Sequence, residues 1–167
     1  MGAHQPSAPS PWVLRWAPLV TRGPLLDVAC GGGRHARLFA EHGIEVVAVD
    51  REPQSIPGAR FVQADLEEGD WPFPNQRFGA IIVTNYLHRP LLPILSTSLL
   101  PDGILLYETF MLGNERYGKP SNPRFLLHPG ELWRAFGANL HLLAFEQGRV
   151  AHPKAAVIQR LCATREP

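Results

Sequence analysis

Two cysteines in 167 residues leave no disulfide framework, and so sparing a use of thiols fits a reducing cytoplasm. An excess of one charge is missing too. Sixteen Lys and Arg face 15 Asp and Glu, and a net charge of +1 gives neither a nucleic-acid footprint nor a pull toward an anionic membrane. No apolar run approaches the roughly 20 residues that a bilayer span needs. Histidines are present but without metal-ligand spacing, and His35, His42, His141 and His152 read as surface or edge residues. The first ten residues lack the apolar core of a signal peptide, and Pro6 occupies the place where a myristoylation signal wants Ser or Thr. Residues 1–10 therefore read as a flexible lead-in, and 11–167 as one domain without internal repeat, heptad or low-complexity block. A chain of this length buries roughly two thirds of its unfolded surface around a single core.

What is present is concentrated between Leu25 and Asp50. An apolar run, Leu25 to Ala29, leads into Cys30-Gly31-Gly32-Gly33; a helical stretch from Arg34 to His42 follows, then Gly43, then a second apolar run ending in Asp50. Ala36, Phe39 and Ala40 recur at helical spacing while Arg34, Arg37 and Glu41 face the other way, so this helix has one buried face. Gly43 stands where a helix end favours a left-handed residue. The flanking runs show no polar alternation, the pattern of strands covered on both faces. Gly31 and Gly33 permit a sharp turn and close approach to a ligand, and the helix they open aims its amides at that ligand. An acid after the second strand, Asp50, can accept both hydroxyls of a ribose.

Gly31-Gly32-Gly33-Arg34-His35-Ala36 also satisfies the dinucleotide fingerprint, with Asp50 about 20 residues on, as an NAD ribose acid would be. Three features favour S-adenosylmethionine instead. Asp27 places a carboxylate beside the glycines, where it would repel a pyrophosphate but suits a sulfonium cofactor carrying an ammonium group. A third apolar stretch, Arg60 to Ala64, ends in Asp65, so three successive strands each carry an acid near the end where parallel sheets bind ligands. The chain also leaves little room for the separate substrate domain that a dehydrogenase usually adds.

These segments resemble the class I S-adenosylmethionine-dependent methyltransferases, and among them the compact bacterial enzymes related to the tellurite-resistance group. The resemblance is carried by Leu25 to Arg34, Val46 to Asp50, Gln63 to Leu66, Phe78 to Leu87 and Leu99 to Glu108, and runs through most of the chain from Trp12 onward. It implies a cofactor site built from Asp27, Ala29, Cys30, Gly31, Gly33 and Arg34 around the methionine end and the ribose edge. Asp50 and Arg51 would stand at the ribose, Asp65 and Leu66 at the adenine, and Thr84 and Asn85 would close over the cofactor. Two positions depart from the family pattern: Ala29 replaces its first glycine, and Gly79 replaces an acid that often follows the Phe of the fourth strand.

Beyond the cofactor half the chain keeps a β/α rhythm. Phe78–Thr84 reads as strand, Pro90–Leu100 as helix, Ile104–Glu108 as strand, Pro129–Phe136 as a short helix with proline at its start, and Leu140–Glu146 and Ala155–Thr164 as two strands joined by a loop. The expected fold class is α/β, a Rossmann-like doubly wound and mostly parallel sheet of about seven strands with a C-terminal antiparallel hairpin.

Methyl transfer from a sulfonium asks the protein mainly to align nucleophile, carbon and sulfur and to exclude water. His88 and Arg89, after the fourth strand, offer a base and an orienting cation, or else cap the helix that follows. Tyr86 and Glu108 read as pocket walls. The aperiodic stretch Thr109 to His128 reads as a lid or as a solvated loop; Arg116, Lys119 and Arg124 would draw in an anionic or polar substrate, with Tyr117 among the contacts. Trp71 reads as packing at the sheet edge or adenine rim, and Trp12 to Val20 as a helix, core-packed in preference to a lid. The expected partner is a small-molecule acceptor for a monomer or homodimer. A non-catalytic S-adenosylmethionine-binding module and an NAD-dependent oxidoreductase are the rival readings.

Overall fold

The computed structural model describes residues 7–167. Seven strands form one sheet in the order β3-β2-β1-β4-β5-β7-β6. They are β1 Leu25–Val28, β2 Val46–Asp50, β3 Ala59–Gln63, β4 Phe78–Thr84, β5 Leu99–Phe110, β6 His141–Val150 and β7 Ala156–Thr164. The first five run parallel, while β7 lies antiparallel to β5 and β6 antiparallel to β7. The loop between the last two is too short for a crossover, so they pair as the expected hairpin.

Successive side chains of an extended strand point to opposite faces, which divides each apolar run between two layers. Leu26, Val28, Val47, Ile81 and Leu105 enter one buried cluster, and Leu25, Ala48, Ala80, Ile82 and Leu106 the other. Four short helices cover these layers: α1 Pro11–Trp16, α2 Arg34–Glu41, α3 Leu92–Thr97 and α4 Glu131–Phe136. Trp12 and Val13 of α1 are buried, and the Trp12 indole donates to the Leu161 carbonyl at 3.2 Å, so this segment packs on the core. Trp71 is half-buried edge-on against Phe73 and packs on the larger cluster, beside the core and apart from any ligand cavity described below.

Several boundaries differ from the sequence reading, among them the strand expected over Ile104–Glu108, which runs Leu99–Phe110. The helix expected over 90–100 ends at Thr97, because the Thr97 and Ser98 hydroxyls donate back to the Ile94 carbonyl and Leu99 is drawn into pairing with Phe78. The expected helix from Pro129 starts instead at Glu131, after Gly130 takes a left-handed φ of 72°. The sixth strand continues past Glu146 to Val150, since its ladder with β7 runs on to Ala156. Residues 1–6 of the expected lead-in lie outside the described residues. Ser10 at its other end is buried and caps α1 by accepting from the Trp12 amide at 3.2 Å, so it is a fixed part of the fold.

Gly79 has a local reason. A Cβ there would stand 2.5 Å from the Arg22 carbonyl oxygen, which leaves no room for the acid that commonly occupies the position. Between β1 and β4 the chain reverses its direction of travel across the sheet, and the C-terminal ends of the parallel strands open there into a crevice, the usual ligand place in such sheets. Among the described residues no helix is long and apolar enough to cross a membrane.

Candidate active site

The turn after β1 is held in a strained shape. Ala29 (φ 51°), Gly31 (53°) and Gly33 (79°) all adopt left-handed backbone, and a Cβ on Gly33 would stand 2.6 Å from Ile56 Cδ1. Gly33 is thus required both by its dihedral and by contact. The turn is fastened to β2 through Asp50, whose Oδ2 accepts from the Gly31 amide and whose Oδ1 accepts from the Glu52 amide, each at 2.9 Å. Asp50 therefore organises the crevice before any ligand arrives.

A cavity of about 300 Å³ opens beside it, lined by Ala29, Asp50, Arg51, Asp65, Leu66 and Tyr86. Five of these were expected at the cofactor. Asp65 is exposed, and its Oδ1 accepts the amides of Glu67 at 2.9 Å and Glu68 at 3.2 Å. Tyr86, expected as a substrate wall, lines this cavity instead, together with Asp50 and Asp65, while the next residue, Leu87, is buried in the core. Burial, followed by the charges of Glu67 and Asp65, pushes the Tyr86 phenol up to about 12, so it remains neutral.

A second cavity of about 480 Å³ is lined by Arg34, Asn85, Glu108, Phe110, Tyr117 and Arg160, among others. Glu108 stands in register with Thr84 on β4 and Arg160 on β7. Its carboxylate accepts from Ser10 Oγ at 2.8 Å and from Arg160 Nε at 2.6 Å. Arg34, expected at the cofactor, lines this cavity while donating to the Ala8 carbonyl at 3.0 Å. Thr84 is half-buried at the end of β4. Asn85, in left-handed backbone (φ 55°), lines the second cavity and donates its amide to the Glu108 carbonyl at 2.9 Å, which ties the two strand ends together.

Asp27 does not line either cavity. It is buried behind the turn, where its Oδ2 accepts the Ala36 amide of α2 at 3.1 Å. Burial is the main force raising its carboxyl to about 7, so the charge expected to repel a pyrophosphate is only partly present at neutral pH. Cys30 lies half-buried in the turn, and burial with the charges of Asp27 and Asp50 raises its thiol to about 12, which keeps it protonated.

His35 overturns the surface reading. It is buried, and its Nε2 accepts the Ser10 backbone amide at 3.0 Å, while burial and then Arg34 lower its pKa to about 4. The ring is neutral, and Ser10 is held from both sides, by His35 and by Glu108.

The two expected catalytic residues are placed elsewhere. His88 Nδ1 lies 3.8 Å from Glu67 Oε1, and His88 lines neither cavity. Arg89 is used up in structure: Nε and a terminal nitrogen grip both oxygens of Glu131 at 2.7 and 2.9 Å, and it also donates to the carbonyls of Arg124 and Leu126. This clamp pins the long loop to α4. The loop is ordered, closed by a bridge between Met111 and Leu127 and by Asn114, whose side chain bonds the Pro120 carbonyl and the Val157 amide. It arches over both cavities, with Tyr117 at the second and Phe125 at the first. Arg116 is exposed and lines neither, because the 3-10 turn over Asn114–Arg116 buries Asn114 and sends Arg116 outward.

Arg89→Ala is accordingly expected to lower the melting temperature by roughly 3 to 6 °C, the effect of about 1.5 kcal/mol once partial exposure is allowed for. Burial pulls the Glu131 carboxyl upward, but the Arg89 hydrogen bond and the His128 amide outweigh it and hold the group below its ordinary range. That contribution is present above the unfolded carboxylate pKa and is lost as pH falls through the folded one, so the deficit of Arg89→Ala should shrink below about pH 4. Calorimetric melting at two pH values checks it. His88→Ala should keep turnover within about threefold, since a general base would cost about a hundredfold or more.

Sequence reasoning missed Ser10, His35 and Arg160. Ser10-Pro11 carried a signal, a capping residue followed by proline at a helix start; the other two had none. Among the described residues no cluster of His, Cys, Asp and Glu could hold a metal ion.

The methyltransferase domain family matches residues 1–161. No curated protein matches the sequence significantly. Among solved structures, TehB from Haemophilus influenzae superposes with a TM-score of 0.72 at 15% identity, over 93% of this chain and 61% of its own, so this chain spans under two thirds of that protein. The N-methyltransferase NodS from Bradyrhizobium japonicum gives 0.69 at 14% identity over 93% of each chain. A Burkholderia thailandensis 1,6-didemethyltoxoflavin N1-methyltransferase, solved with that compound and S-adenosylhomocysteine, gives 0.61 at 22% identity over 93% of this chain and 76% of its own. The chain belongs to the methyltransferase domain family, and its fold is the one these S-adenosylmethionine-dependent structures share.

Proposed function

We propose that the chain transfers the methyl group of S-adenosylmethionine to a small-molecule acceptor, with the nucleoside in the first cavity and the acceptor in the second. One observation carries this reading: consecutive residues at the end of β4 divide between the cavities, Tyr86 lining the first and Asn85 the second. The two ligands then meet across a single peptide link, at the end of the strand where the sheet reverses. Asp50 receives the ribose hydroxyls, Asp65 the adenine amino group on the oxygen that its own loop amides leave open, and Leu66 and Tyr86 flank the ring. The turn from Ala29 to Gly33 holds the methionine end. Transfer breaks the carbon–sulfur bond as the acceptor's lone pair forms the new one, and the released pair stays on sulfur. Asn85, Glu108 and Tyr117 orient the acceptor and displace water from it. With His88 and Arg89 outside both cavities, the acceptor arrives as its own nucleophile or loses its proton to solvent.

A binding module without transfer is the second reading, favoured by the same displacement of His88 and Arg89. Calorimetry with S-adenosylmethionine and with NAD, followed by an S-adenosylhomocysteine release assay over an acceptor library, separates the readings. Micromolar affinity for the sulfonium cofactor, none for NAD, and release with a small acceptor are expected. Binding without release from any acceptor would leave the module.

A further inference from the structure

Cations outnumber carboxylates around the second cavity. Arg34, Lys119, Lys154 and Arg160 line it, and among its described lining residues Glu108 is the one carboxylate. Glu108 is already spent on Arg160 at 2.6 Å, and Arg160 reaches Glu146 as well at 3.3 Å. Among the described residues, no ion pair includes Arg34, Lys119 or Lys154. Lys119 and Lys154 thus stand without a paired carboxylate beside a small concave space, while Arg34 lies in the field of the buried Asp27, in a chain whose net charge is only +1. Opposite charge cannot be supplied by the walls, because Phe110, Tyr117, Ala156 and Ile158 are apolar or neutral.

Two of these cations come from separate loops to one place. Lys119 follows the turn at Asn114–Arg116, and Lys154 sits in the β6–β7 connection. A methyl group on Gly118, next to Lys119, would stand 3.9 Å from Lys154 Nζ. Like charges gathered at one rim repel, and an anion placed between them removes that repulsion. The Tyr117 ring is steadied by Arg149, whose guanidinium carbon lies 5.5 Å from its centroid, so a flat aromatic wall lines the same cavity as the two lysines.

We propose that the acceptor is an apolar, ring-bearing small molecule carrying an anionic group, a carboxylate or an equivalent oxyanion, whose body lies on Phe110 and Tyr117 and whose charge is held by Lys119 and Lys154. This rests on the reading of the second cavity as the acceptor site. A neutral body with a small number of placed charged contacts is the ordinary composition of such pockets, and a cavity of about 480 Å³ suits a molecule of that size.

The test uses the full chain loaded with S-adenosylhomocysteine and a matched pair of fluorescent probes, 8-anilinonaphthalene-1-sulfonate and the uncharged N-phenyl-1-naphthylamine. The sulfonate should bind at least tenfold more tightly than its neutral counterpart. Raising NaCl from about 50 mM to about 500 mM should weaken the sulfonate several-fold and leave the neutral probe within about twofold. K119E/K154E should weaken the sulfonate at least tenfold, with the neutral probe and S-adenosylhomocysteine each within about twofold; the last also reports that the variant is folded, and K119Q/K154Q serves if it is not. Equal affinity for the two probes, or a sulfonate affinity untouched in the charge-altered variants, overturns the proposal. Failure of the wild-type chain to bind S-adenosylhomocysteine would overturn the functional reading beneath it, a different result.

Discussion

Asp50→Ala is expected to weaken S-adenosylmethionine binding at least a hundredfold. Two charge-assisted hydrogen bonds to the ribose hydroxyls, at about 1.5 kcal/mol each or more, already amount to that factor. The same carboxylate also holds the Gly31 amide at 2.9 Å, so its loss frees the glycine turn proposed to receive the methionine end. The fold should survive, because Asp50 ends β2 at the crevice and the β2 residues packed in the core precede it. Asp50→Asn keeps one acceptor oxygen and should lose less. Asp65→Ala should also lose less, since Asp65 is exposed and water replaces part of an adenine amino bond at a rim. Titration calorimetry ranks the three, and an unchanged affinity in Asp50→Ala would remove the ribose assignment.

Asp27→Asn should raise stability by on the order of 2 to 4 kcal/mol at pH 8, with little change at pH 4. The folded-state pKa of Asp27 is raised to about 7 from 3.8, so ionising it in place costs stability that accumulates as pH climbs between those values and is fully felt above 7. Asparagine carries no charge and keeps an oxygen for the Ala36 amide. His35 works in the opposite direction across nearly the same window. Its pKa falls from 6.5 to about 4, so stability is lost as pH drops through 6.5 toward 4. Wild-type melting will therefore look flatter with pH than either group alone, and the difference between mutant and wild type isolates Asp27. A difference that stays constant from pH 4 to pH 8 would mean that Asp27 ionises as freely as a surface carboxylate.

The glycine turn, Asp50, the strand over Phe78–Thr84 and the closing hairpin were legible because each rests on a local cause: a left-handed backbone, an apolar run, a loop too short for a crossover. What the sequence hid was set by partners far along the chain. Arg89 next to His88 looks like a reactive pair until Glu131, 42 residues later, takes both guanidinium edges. Asp27 beside the glycines looks like a cofactor contact until α2 folds back over it and claims its oxygen. His35 sits on a helix face that reads as mixed, and only the Ser10 amide, 25 residues earlier, shows why it is buried and neutral. The second cavity was least legible of all. Its walls come from the start of the chain, the ends of β4 and β5, the long loop and the last hairpin, which no spacing rule connects.

That assembly also fixes an order of events during synthesis. Ser10 bonds Glu108 across 98 residues and the Trp12 indole bonds Leu161 across 149, so the α1 segment is not fully docked until β5 and β7 have emerged. Strands β1 and β2 are joined by a short helical crossover, whereas the Trp12 indole lacks its partner carbonyl until β7 is in place. Contacts separated so widely along the chain close slowly. The second cavity, which has the residues around Ser10 as one of its walls, is consequently complete only when β5, β7 and the long loop are all in place.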